Sequence, residues 1–212
     1  MLYTPRADCQ IPGLAAIYAQ YLPVTPGRFV EVGACDGVSV SNTVFLAEAG
    51  WTGLYVEPHP VTFKLCVQNH AQHSNITVAN TAISSYSGEA ELFDIGECST
   101  LVWDKSAIDW GGDRSKKFTV RVTTLDLLLD SLGWKPGFEL LVIDVEQNEL
   151  KVLAGFDIWR WQPGLVIIEA HEKDNAPERN CKAPGINAYF ERYGYRKVYT
   201  DHINAIFVRW RT

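Results

Sequence analysis

Three groups of residues in this chain have types and spacings suited to chemistry. The first is E-V-G-A-C-D-G, Glu31 to Gly37, which closes the apolar run FVEV. Gly33 and Gly37 can take positive φ and let a ligand come close to the backbone. The loop departs from the dinucleotide pattern GxGxxG, since its second glycine falls four residues after the first. It carries acids where a pyrophosphate would want none, and so favours a ligand with positive charge, such as a sulfonium or an amino group. The second group is Glu57, which ends YVE 20 residues beyond Gly37. An acid at that spacing, at the tip of a strand, can accept hydrogen bonds from both hydroxyls of a ribose. Loop and acid together read as an adenosine site. The third group ends two apolar runs, LLVIDVE and LVIIEAHE: Asp144, Glu146, Glu169, His171 and Glu172.

That third group admits two chemistries. Asp144 or His171 could act as general base toward a substrate hydroxyl. Alternatively Asp144, Glu169 and His171 could hold a divalent cation that lowers the hydroxyl pKa, oxygen-rich ligation suiting Mg2+ or Mn2+. The competing reading of Glu146 and Glu149 is that they charge the N-terminus of the helix NELKVLAGF, where acids are favourable; for Glu149 this is the preferred one.

Positioning such groups takes a particular order of elements. IPGLAAIYAQYL has its apolar residues at helical spacing, so residues 1–27 carry a leading helix. RFVEVGA is a first strand and NTVFLAEAG a helix stopped by Gly50. TGLYVEP is a strand closed by Pro58, VTFKLCVQNHAQ a second helix and ITVANTAIS a third strand. GEAELFDI and FTVRVTTL alternate apolar and polar residues, the pattern of antiparallel or edge strands. The polar, glycine-containing stretch between them, 97–117, reads as a mobile lid loop. LDLLLDSLG is a helix, ELLVIDVE a buried strand, NELKVLAGF a helix, GLVIIEAH a buried strand and INAYFERYG a helix; YRKVYT and NAIFVRW form a closing hairpin. Alternating helices and wholly apolar strands imply a parallel sheet covered on both faces, in one domain spanning 1–212.

Bulk properties narrow the partners. The 212 residues carry a net charge of −6, which weighs against a nucleic-acid backbone as partner. Arg114, Lys116, Lys117 and Arg121 read as a solvated strand and loop. Five scattered cysteines without a CxxC pair suit a reducing compartment and exclude zinc knuckles. Cys35, in the glycine loop, reads as a small packed residue rather than a reactive thiol. No apolar run nears the roughly 20 residues of a membrane span, and no signal peptide is visible at the start, so a cytoplasmic protein is expected. Trp103, Trp110, Trp159 and Trp161 are candidates to stack on a sugar ring; Trp51 reads as core and His202 as a surface hairpin residue.

FVEVGACDGVSVSNTVFLAEAGWTGLYVEPHP and LLVIDVEQNELKVLAGFDIWRWQPGLVIIEAH resemble the two blocks of the FkbM family of S-adenosylmethionine-dependent methyltransferases. With VTTLDLLL and the closing NAIFV, the resemblance covers nearly the whole chain from Phe29 onward. It implies an α/β, Rossmann-like class I methyltransferase fold: a mostly parallel seven-stranded sheet, a C-terminal antiparallel hairpin and helices on both faces. It also implies S-adenosyl-L-methionine as cofactor and methyl transfer to the oxygen of a small hydroxylated acceptor, most often a sugar, a glycan or a small natural product, with carbohydrate the leading expectation. Carried over by residue, Glu31, Gly33, Ala34, Asp36 and Gly37 would line the methionine end. Ser41, Asn42 and Thr43 would brace the loop and its helix. Glu57 would take the ribose, with Pro58 and His59 beside the adenine, and the turn Asn80 to Ala82 would close over the adenine edge. Asn80 would bond the adenine amino group. One position departs: the family's glycine in D-V-E-G is Gln147 here. An RNA methyltransferase and a cofactor-binding module without turnover remain alternatives.

Overall fold

The computed structural model of the chain describes residues 9–170 and 183–210. His171 and Glu172 lie outside the described residues.

Seven strands make the main sheet: β1 (Arg28–Val32), β2 (Thr52–Val56), β3 (Ile76–Ala79), β7 (Leu140–Ile143), β8 (Leu165–Glu169), β9 (Tyr195–Thr200) and β10 (Asn204–Arg209). Their spatial order is β3-β2-β1-β7-β8-β10-β9. The first five are parallel, and β10 runs antiparallel to both β8 and β9. Strands β2 and β3 step outward on one side of β1 while β7 and β8 lie on the other. The order therefore reverses between β1 and β7, where α/β sheets open a ligand crevice at the strands' carboxyl ends. The expected parallel sheet with its closing hairpin is present.

Both faces of this sheet are apolar because alternate residues of each strand point opposite ways. Phe29, Tyr55, Leu140, Val142, Leu165, Ile167 and Ile206 pack against α1 (Leu14–Tyr21) and α2 (Val44–Glu48). Val30, Val32, Leu54, Leu141, Ile143, Val166 and Phe207 pack against α5 (Leu125–Ser131), α6 (Glu149–Ala154), α7 (Ile158–Trp161) and α8 (Ala183–Arg192). A further helix, α3 (Pro60–Asn69), joins β2 to β3. Glu31 falls in the β1 series that faces α1 and α2, opposite Tyr55 and Val142 in register. A carboxylate thus sits where the alternation calls for a hydrophobe.

The structure differs from the sequence expectation in two places. ITVANTAIS is two strands: β3 ends at Ala79, and β4 (Ala82–Ile83) pairs instead with β6 (Lys117–Thr123) in a second sheet of order β4-β6-β5, where β5 is Gly88–Phe93. The break is made by side chains that bond the main chain in place of a ladder partner. Asn80 Nδ2 donates to the carbonyls of Glu57 and Pro58, at 2.8 and 3.1 Å, and the Thr81 hydroxyl donates to Arg121 O at 3.1 Å. The second difference lies in 97–117, which is more than a structureless loop. A 3-10 turn at Gly96–Cys98 precedes a bridge from Thr100 back to Phe93, and α4 covers Lys105–Asp109. The Thr100 hydroxyl donates to the Glu146 carbonyl, tying this segment to the exit of β7.

Candidate active site at the carboxyl ends of the strands

A cavity of about 250 Å3 opens beyond β1, β2 and β7, walled by the β1 loop, the β2 tip, the β4 turn, the β7 exit and the segment Gly96–Leu101. All of its charged lining residues are acids: Glu31, Glu57, Glu97, Asp144 and Glu146. Among the described residues, no lysine, arginine or histidine lines it.

The β1 loop is built around two exits from ordinary backbone. Gly33 has φ +87, and a Cβ there would stand 1.6 Å from the Asp144 carbonyl oxygen. The glycine is thus required by the neighbouring strand as well as by any ligand. Gly37 has φ +73, and its missing Cβ leaves room for Cys66 Sγ and His70 Nε2, each 2.7 Å from where that atom would be. Between them Asp36 folds its carboxylate back onto the loop. Oδ1 accepts from the N–H groups of Val38 and Ser39, and Oδ2 from the Ser39 hydroxyl at 2.8 Å. Partial burial would raise its pKa, but these donors outweigh that and hold it below the usual carboxylate range. Ser41 Oγ accepts from Thr43 and Val44 N–H, both at 3.1 Å, and so caps the start of α2.

Glu31 is 6 % exposed. Burial raises its pKa to about 7; a hydrogen bond from the Thr43 hydroxyl works against the rise, and the nearby Asp144 charge adds to it. Ser41 Oγ lies 3.4 Å from the same oxygen, Oε2. A carboxyl so placed ionises readily once a cation takes up the charge. Glu57 is 7 % exposed, and both oxygens are already fixed by the main chain. Oε2 accepts from Cys35 N–H at 2.8 Å and Oε1 from His59 N–H at 2.7 Å. Burial raises its pKa, with those two bonds in opposition. Each oxygen keeps a further lone pair, so two hydroxyls can still be accepted side by side.

At the β7 exit the backbone takes two consecutive left-handed residues, Glu146 at φ +50 and Gln147 at φ +79. The family's glycine position is therefore one whose conformation suits glycine. Ligating atoms of Asp144, Glu146 and Glu169 lie within 4.8 Å of one another. Glu149 is fully buried at the start of α6, where an acid was expected to charge the helix N-terminus, and its carboxylate accepts from Val145 N–H at 3.4 Å in the β7 exit rather than from a helix N–H.

Of the residues singled out in the sequence, Glu31, Gly33, Ala34, Ser41, Asn42, Glu57, Pro58, Ala82 and Asp144 line the cavity. Asp36, Gly37, Thr43, Asn80 and Glu169 do not. Asn80 turns its amide nitrogen to the Glu57 and Pro58 carbonyls. Trp161 is fully buried in the core, its Nε1 donating to Asp126, and Trp159 sits on the surface against Tyr193. Neither lines the cavity, and Trp103 packs on Phe93 instead. Trp51 is core and His202 exposed, as expected. Sequence reasoning missed Gln10, Cys98, Ser99, Leu101 and Asn148, all cavity-lining. Asn148 sits in the quoted D-V-E-Q-N-E stretch without a signal of its own, the other four lie in no motif, and only the lid reading of 97–117 points toward three of them.

The strand order and the site at the β1/β7 reversal define a class I methyltransferase fold. A family model described as Methyltransferase FkbM domain matches residues 31–197, and the chain belongs to this family. No curated protein matches it. Among solved structures, it is similar to the methyltransferase FkbM from Methylobacillus flagellatus KT, with TM-score 0.57 and 14% identity over 86% of this chain and 43% of that one. It is also similar to precorrin-6y C5,15-methyltransferase from Geobacter metallireducens GS-15 (TM-score 0.51, 12% identity, 99% of this chain and 93% of that one). A third likeness is to monomeric WbdD, at TM-score 0.53 and 14% identity over 96% of this chain and 42% of that one. The chain thus spans less than half the length of the first and third of these proteins.

Proposed function

We propose that this chain binds S-adenosylmethionine and transfers its methyl group to a hydroxyl of a sugar, a glycan or a small natural product. The observation that carries the proposal is the all-acidic charge of the cavity, with Glu57 at the β2 tip and Glu31 beneath the β1 loop. Such a lining suits a cation and repels phosphate, so it favours a sulfonium nucleoside over a dinucleotide and weighs against nucleic acid as acceptor.

Bound there, the cofactor supplies a methyl group on a sulfonium, which leaves as a neutral thioether. Glu57, pre-set by two main-chain donors, accepts from the ribose hydroxyls. The β1 loop and Pro58 flank the nucleoside, and Glu31 and Asp144 counter the positive charge. For the acceptor, alignment matters most. Asp144, with Glu169 behind it, is placed to take the hydroxyl proton. The cluster of Asp144, Glu146 and Glu169 also supports a second version of this step, because three hard oxygen donors fit Mg2+ or Mn2+. Its members would hold the ion and lower the hydroxyl pKa; His171, named for that set from the sequence, lies outside the described residues.

Calorimetric titration of S-adenosylmethionine and S-adenosylhomocysteine, with and without Mg2+, tests the reading. Micromolar binding by the wild type, with a loss of about 10- to 100-fold in Glu57→Ala, is expected, the size of one or two hydrogen bonds to a charged group. Absence of wild-type binding in both conditions sinks the cofactor assignment. Binding without turnover on any of a panel of sugars and hydroxylated small molecules would favour the cofactor-binding module instead.

A further inference from the structure

Gln10 precedes α1 by four residues, in a stretch with no motif, yet it lines the cavity. Its Nε2 donates to Asp144 Oδ2 at 2.9 Å, and its Oε1 accepts from Asn42 Nδ2, also at 2.9 Å. A third bond, from its own N–H to the Val40 carbonyl at 3.2 Å, fixes its main chain on the far side of the β1 loop. Chemistry fixes both amides. An ionised carboxylate only accepts, so Gln10 must present nitrogen to Asp144 and oxygen to Asn42, and Asn42 must answer with nitrogen.

This bridge is anchored on both sides. Ile11, Leu14 and Tyr18 are at most 1 % exposed, and the Tyr18 hydroxyl donates to the Asn42 carbonyl at 2.9 Å. The leading segment therefore joins two cavity walls that are otherwise separate in sequence, the β1 loop at Asn42 and the β7 exit at Asp144. It does so at the end of the cavity where the buried Glu31 carboxyl feels the Asp144 charge.

We propose that Gln10 is a positioning residue for the cofactor's aminoacyl end, holding the Asp144 carboxylate and the Asn42 amide in the arrangement that receives a cationic ligand. The inference rests on the cofactor reading above and adds to it that the segment before α1 belongs to the site. Gln10 acts through Asp144, so its contribution depends on which residue of the pair donates.

Titration of S-adenosylhomocysteine into the full chain, alongside thermal midpoints, tests this. Q10M keeps the side-chain length and removes both polar contacts; its affinity should fall about tenfold, the equivalent of a charge-assisted hydrogen bond. Q10E sets two carboxylates together and should fall further. Combining Q10E with D144N restores a donor–acceptor pair with the roles exchanged, and should bind more tightly than Q10E alone. Gln20→Ala, on the exposed side of α1, should match the wild type. Affinity of Q10M within twofold of the wild type overturns the inference while leaving the cofactor reading intact. So does a lowered midpoint in Q10M with unchanged affinity of the folded protein, or a Q10E/D144N double variant no better than Q10E. A wild type that fails to bind overturns both.

Discussion

The two loops that leave β1 and β7 sit side by side over one cavity, yet they differ in how much of their support is their own. The β1 loop combines bonds of its own with outside ones: Asp36 takes three donors of its own turn and Ser41 accepts from Thr43 and Val44 N–H, while Glu57 holds the Cys35 N–H and Gln10 and Tyr18 hold Asn42. The β7 exit runs through two left-handed residues and is held from outside, by Gln10 before α1 and by Thr100 of the segment between β5 and β6. A loop with bonds of its own holds part of its shape whatever the segments around it do. A loop braced chiefly by distant segments takes its shape from whatever those segments become.

That contrast can be broken at several points. The largest effect should come from Gly33→Ala, because the added Cβ would stand 1.6 Å from a backbone oxygen of β7. Main-chain atoms cannot move aside as a flexible side chain does. Loss of soluble protein, or destabilisation of more than about 4 kcal/mol in urea unfolding, is expected. A stable variant would mean that the two loops are less tightly apposed than described.

Next comes Glu31, buried with its pKa raised to about 7 by burial. The folded state holds this proton more firmly than the unfolded chain does. Glu31 therefore destabilises the fold progressively as pH rises from about 4.5 to about 7, by up to about 3 kcal/mol, with no further change above. Glu31→Gln should remove that slope and raise the thermal midpoint at pH 8. A cationic ligand reverses the preference, so wild-type affinity for S-adenosylmethionine relative to neutral-sulfur S-adenosylhomocysteine should climb between pH 6 and 8. Equal pH dependence for the two ligands would remove Glu31 from the charge balance.

The smallest effect sharpens the comparison at the β7 exit. Gln147 holds φ +79 without being glycine. Gln147→Gly should relieve about 1 kcal/mol of backbone strain, offset in part by the greater freedom of glycine in the unfolded chain. Chemical denaturation should give a change between zero and about 1 kcal/mol in favour of the variant.

The sheet was legible in the sequence because its central strands are mostly apolar, and Pro58 closes a strand where Gly50 and Gly155 close helices. The cofactor side was legible for a related reason: Glu31 and Glu57 are acids at the ends of hydrophobic runs, a conflict that sequence displays locally. Asn80 and Thr81 hid the break between β3 and β4, since β-branched residues on either side continue the strand pattern across them. Gln10 and Thr100 were illegible for a different reason. Their partners lie 134 and 46 residues away, and nothing in a single polar residue's neighbours announces a distant carboxylate or carbonyl.

The segment between β5 and β6 begins and ends at one place, since Phe93 and Lys117 are paired across those strands. Joining its ends is therefore already accomplished by the hairpin below it. Lengthening or exchanging the intervening chain then adds only a logarithmic entropy term, about 0.6 kcal/mol for each doubling. Such a joint behaves like a socket: the chain between Phe93 and Lys117 can change in length or sequence while the β1 loop and the β2 tip keep their construction.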